Sequence, residues 1–195
     1  MAYVKTTWID DITPISATNM NNIENCIDET FIKIAEQTLA SAVAQVDFDS
    51  IPSGYKNFRL MIDGIKTTPT EANLSLRFND DTVTTHYYYQ TVTVSNSAIS
   101  ALGAVDGAII ITNGLGGSDR IHSFGVLEIS NFNPLKAKRV SGSLYMQTLA
   151  AATAQMQYII SGNWNNTTTG ISKISLIGVL ANIGIGSRFV LWGCK

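Results

Sequence analysis

The sequence predicts a mainly β protein, with an N-terminal helical segment leading into an antiparallel β-sandwich of jelly-roll type. Three observations carry this. Apolar residues recur at three- and four-residue spacing from Met20 to Ile34, then at every second position from about residue 46 onward. Turn-rich runs interrupt the second region every ten to sixteen residues. Polarity comes from Ser, Thr, Asn and Gly rather than from charge, with 14% charged residues and a net charge of −2. The implied organisation is an extended segment over 1–16, an amphipathic helix and linker over 17–45, and the sandwich over 46–195.

The helix is expected to begin at Ala17, because Ser16 is a good N-cap and Pro14 sets the approach of the chain. Met20, Ile23, Ile27, Thr30 and Ile34 form one stripe, widened by Phe31; Asn22, Glu24, Asn25, Asp28, Glu29, Lys33 and Glu36 form the polar face. A lone stripe must be buried somewhere. It either packs on its own domain or meets copies of itself as a short coiled coil. On the second alternative Met20, Ile23, Ile27, Phe31 and Ile34 are the oligomerisation residues.

The strand region opens with "YKNFRLMID" (55–63), which puts Phe58, Leu60 and Ile62 on one face. "NLSLRFN" (73–79) does the same with Leu74, Leu76 and Phe78. Further runs lie at 86–94, 108–112, 122–130, 138–149, 154–161, 171–179 and 187–193. No helical pattern of useful length separates them, which argues against a parallel α/β sheet.

Several functions are disfavoured. Without a basic excess there is little to neutralise phosphates, so nucleic acid is not an expected partner. No apolar run approaches the roughly 20 residues of a membrane-spanning helix, and the opening "MAYVKTTWIDD" lacks the apolar core of a secretory signal. His86 and His122 belong to no ligand pattern, so no metal site or other cofactor is expected. "GLGGSD" (114–119) and "NIGIGS" (182–187) do not run from a strand into a helix, so they read as turns rather than phosphate loops. No nucleophile–base–acid arrangement stands out, and no catalytic residue is assigned. Cys26 and Cys194 read as two thiols, since nothing asks for a disulfide. Asp80 and Asp81 in "FNDD" read as turn residues.

Two clusters join aromatic planes to amides and hydroxyls, the pairing that sugar recognition needs. "THYYYQ" (85–90) sends Tyr87 and Tyr89 to one face and Tyr88 to the other, and "NWNNTTTG" (163–170) sets Trp164 among asparagines. The candidate glycan surface is therefore Trp164, Asn165 and Asn166, with Tyr87 or Tyr89 and Asp80. The competing reading, with one Tyr face in the core and Trp164 packing a loop, stays open.

Residues 8–24, "WIDDITPISATNMNNIE", resemble the opening of tail-fibre and receptor-binding proteins of tailed bacteriophages, especially those of Gram-positive-type hosts. "YKNFRLMIDG", "ANLSLRFNDD" followed by "YYYQ", and the closing "GSRFVLWG" resemble the β-domain of the same proteins. The resemblance implies a virion structural protein assembled in the host cytoplasm and mounted on a tail or other exposed appendage. Its N-terminal segment would contact other virion proteins and oligomerise, as a homotrimer. Its β-domain would face host-surface polysaccharide. The chain is too short for the long β-helix of depolymerising spikes and its acids are mostly scattered singly, so it is not expected to be an enzyme. A purely structural fibre, adaptor or head-decoration protein is the alternative.

Overall fold

Alternation of apolar and polar residues builds almost every element. The computed structural model describes residues 31–63, 72–95, 98–115, 120–131, 135–148, 155–179 and 182–195. Among them lie twelve strands: β1 (Ile32–Thr38), β2 (Gln45–Phe48), β3 (Asn57–Asp63), β4 (Ala72–Phe78), β5 (Tyr87–Ser95), β6 (Ile99–Asp106), β7 (Ile109–Leu115), β8 (Arg120–Ser130), β9 (Lys138–Thr148), β10 (Gln155–Trp164), β11 (Ile174–Val179) and β12 (Arg188–Cys194). They form two antiparallel sheets. One has eight strands in the order β1-β12-β3-β8-β9-β10-β5-β6, and the other has four, β2-β11-β4-β7.

The two sheets share one core. Phe58, Leu60 and Ile62 of β3, Leu127 and Ile129 of β8, and Phe189 and Leu191 of β12 face Leu74, Leu76 and Phe78 of β4 and Ile174 and Leu176 of β11 in a single buried cluster. The expected faces of β3 and β4 are thus the ones buried. Beyond β8 the large sheet continues through β9, β10 and β5, and the inner side chains of β10 and β5 pack on β7. There Thr91 Oγ1 donates to the Ile110 carbonyl at 2.9 Å. A Cβ on Gly162 of β10 would lie 3.1 Å from the Ile109 side chain, so that glycine sets how closely the sheets approach. Gly142 is more constrained still: a Cβ there would meet the Val126 carbonyl oxygen at 2.1 Å. β6 lies past the reach of the small sheet, and all eight of its residues are exposed.

The expected helix needs correction at its C-terminal part. Residues 32–38 form β1, an edge strand paired antiparallel with β12 from Ile32↔Gly193 to Thr38↔Arg188. Ile34 packs on the core, and a Cβ at Gly193 would meet its Cδ1 at 2.7 Å. Phe31 precedes the strand and holds its ring 4.5 Å from the Arg59 guanidinium carbon. Ile32, Ile34 and Ala35 satisfy both a helical and a strand period over so short a run. Pairing decides for the strand, because β12 would otherwise leave one backbone edge open. The sandwich therefore begins no later than Ile32, not at residue 46. Met20, Ile23 and Ile27 lie outside the described residues, as does Cys26; Cys194 ends β12.

Candidate functional site

The β5–β10 pairing sorts the candidate residues into two populations. Register sets Tyr87 opposite Trp164, Tyr88 opposite Asn163, and Gln90 opposite Ser161. Successive side chains point to opposite faces, so Tyr87, Tyr89 and Trp164 point inward and Tyr88, Gln90, Ser161 and Asn163 outward.

The inward set is core. Trp164 and Tyr87 are 0% exposed and Tyr89 is 5%. The Trp164 ring lies 5.5 Å from Phe78 and 6.4 Å from Tyr87, centroid to centroid. Its Nε1 donates to Asp81 Oδ2 at 2.7 Å, and His86 Nδ1 lies 2.7 Å from the same oxygen. The Val83 N–H donates to Asp81 Oδ1 at 3.0 Å. Burial works against the Asp81 charge, but these three hydrogen bonds together hold its carboxyl below the usual range. The Tyr87 phenol accepts from the Phe78 N–H and donates to the Phe78 carbonyl. Burial pushes its pKa well up. Buried Lys138 donates to the Asn166 carbonyl at 2.7 Å and places its ammonium 5.1 Å from the Trp164 centroid. Burial lowers its pKa.

The proposed stacking role of Trp164, Tyr87 and Tyr89 is therefore corrected: no sugar can reach these rings in this fold. The remaining candidates are dispersed. Asp80 forms an ion pair with Lys173 at 2.9 Å and follows Asn79 in a turn whose two central residues have φ of 51° and 55°. That is turn chemistry, as the sequence implied. Hydrogen bonding by Asp80 and the nearby Asp47 and Asp49 charges raise the Lys173 pKa. Asn166 uses its side-chain oxygen to accept from the Thr168 and Thr169 N–H groups, which shapes its own loop. Asn165 is exposed, its N–H donating to the His86 carbonyl at 2.6 Å. Among the described residues, no three His, Cys, Asp or Glu side chains converge as metal ligands.

The outward set forms a grid. Register extends each row onto β9 and β6: Val105–Tyr88–Asn163–Arg139 and Gly103–Gln90–Ser161–Ser141. These residues line a concavity of ≈ 910 Å3 on the outer face of the large sheet. Tyr88 is 42% exposed and offers an aromatic plane. Asn163 and Gln90 offer amides, and Ser141 and Ser161 hydroxyls. Arg139 is the charged residue of the lining, and no carboxylate among the described residues pairs with it.

No protein-family model matches the chain, and no curated protein is similar to it.

Proposed function

We propose that the protein is a structural component of a tailed-phage virion appendage whose β-domain binds host-surface saccharide. Binding would occur in the concavity around Tyr88. The phage assignment rests on the resemblance of residues 8–24 and 186–193 to tail-fibre and receptor-binding proteins. The carrying observation for the site is the outer-face grid, in which an exposed aromatic plane adjoins amides, hydroxyls and a guanidinium on rigid strands. A ring can stack on a sugar's C–H face while the polar groups take its hydroxyls. Arg139, which no carboxylate among the described residues pairs, favours saccharides bearing a carboxylate or phosphate.

The strand order supports a jelly roll at the heart of this domain. β1-β12-β3-β8 and β2-β11-β4-β7 are its two four-stranded leaves, and the β5–β6 and β9–β10 hairpins are insertions that extend the first. The same architecture serves capsid and lectin domains, so it is compatible with the reading without carrying it.

The test is adsorption of purified protein to host cells, followed by a glycan array. Tyr88→Ala and Arg139→Ala should each lower binding at least tenfold with melting temperature unchanged, while Asn165→Ala should not. Unchanged binding by both variants removes the site. The purely structural reading would then gain, and it already has one observation in its favour: Trp164 and Tyr87 serve the core.

A further inference from the structure

The outer strand of the inserted hairpin has an unusual composition for a sheet edge. β6 closes one side of the eight-stranded sheet, and among the described residues its only strand partner is β5. Every residue from Ile99 to Asp106 is exposed. The strand carries no Lys, Arg or Pro, and its one acid, Asp106, lies at its end. Such an edge offers a row of free N–H and C=O groups with none of the charges that ordinarily discourage pairing.

Its sequence also has an internal symmetry. "ISALGAV" (99–105) reads large, small, small, large, small, small, large from either end. Laid antiparallel on a second copy about Leu102, it pairs Ile99 with Val105, Ser100 with Ala104, Ala101 with Gly103, and Leu102 with itself. Each pair joins residues of the same face, as an antiparallel ladder requires. β-branched meets β-branched, small meets small, and the Asp106 carboxylates stay apart.

We propose that β6 is a self-association edge, through which two copies pair antiparallel about a two-fold axis at Leu102. The occupant is a second copy because the strand complements its own reverse in size, face and charge, which is what an isologous contact demands. Ile99 and Val105, with Val94 and Val92 of β5, which pair with Ile99 and Ala101, then form one apolar surface across the axis. This is a two-fold pair, not the trimer implied by the resemblance. It does not depend on saccharide binding. It would set two Tyr88 concavities about 25 Å apart, from three strand spacings across and six residues along.

Cysteine cross-linking reads the register directly, using the full chain with Cys26→Ser and Cys194→Ser. Leu102→Cys should give a disulfide-linked dimer on mild oxidation, because each thiol faces its own copy, whereas Ser100→Cys should not. Separately, Leu102→Lys should halve the sedimenting mass while circular dichroism stays native, since two ammonium groups would meet at the axis. Three results overturn the proposal: no Leu102→Cys dimer, equal cross-linking through Ser100→Cys, or a wild-type mass retained by Leu102→Lys. A wild-type protein that sediments as monomer or trimer overturns it as well. A monomer whose β6 amides resist hydrogen exchange would mean that its own chain covers the edge.

Discussion

The two ends of the large sheet solve the same problem in opposite ways. At one end β1 carries Lys33 and Glu36, and Glu36 forms ion pairs with both Lys33 and Arg188 at 3.0 and 2.7 Å. Its inner face, with Ile34 and Ala35, packs on the core. At the other end β6 has no charge before Asp106, and both of its faces meet solvent. A sheet edge is a template for another chain, and charged side chains are a common way to close it. The contrast teaches that the β1 end of the sheet guards its boundary, whereas the β5–β6 hairpin leaves its own boundary open. Between them, the rings of Phe78, Tyr87 and Trp164 close the core at one end of β5 and β10.

The largest break in this contrast should come where cover ends. Trp164→Ala removes the ring that fills the space beneath β10 and leaves Asp81 without its indole donor. We expect a loss of about 3–5 kcal/mol in denaturant unfolding. Normal stability would mean that the β5–β6 and β9–β10 hairpins are not part of the core. Gly142→Ala should follow at about 1–3 kcal/mol, because the new methyl meets backbone rather than a yielding side chain. The matching change on the open edge, Gly103→Ala, should stay within about 0.5 kcal/mol, since the nearest atoms lie at 3.3 Å and the strand has room to adjust.

Acid sharpens the comparison further. The Asp81 carboxyl is held below its ordinary pKa, so its contribution is present above the unfolded value of about 3.9 and is lost as pH falls through the folded one. Melting temperature should drop more steeply below about pH 4 in wild type than in Asp81→Asn. Parallel curves would mean that the His86–Asp81–Trp164 contacts are energetically silent. The smallest effect belongs to β1. Hydrogen bonds from Arg188 and Lys33 also lower the Glu36 pKa. This pair is exposed, so Glu36→Gln should cost little stability and its effect should fade in salt. Its signature should instead be colloidal, as a greater tendency to associate through β1.

Much of this was legible beforehand. Strict alternation in "NFRLMID" and "NLSLRF" identified both the strands and their buried faces. The Asn79–Asp80 turn followed from residue chemistry. β6 was not legible, because "ISALGAVD" alternates weakly and an edge exposed on both faces requires no alternation. β1 was hidden by an apolar spacing that fits a helix equally well. The site failed for a different reason. Local sequence separated Tyr88 from Tyr87 and Tyr89, but it could not say which face was core. That followed only from the pairing of Tyr87 with Trp164, residues joined by a register invisible in either segment alone. Asn163, Arg139 and Ser141 joined the site through the same register.

The position of β12 has a consequence for how the chain is made. Among the described strands it lies between β1 and β3 yet is synthesised last, and its partner β1 is synthesised first. Until it emerges from the ribosome, β1 and β3 each lack the described strand that joins them. The sheet's closing contact therefore spans from Ile32 to Gly193. Such non-local pairing places refolding in the slow class, about milliseconds to seconds. The half-made sheet, with β6 and its charge-free stretch before Asp106 already complete, is the species in which chains are most exposed to one another.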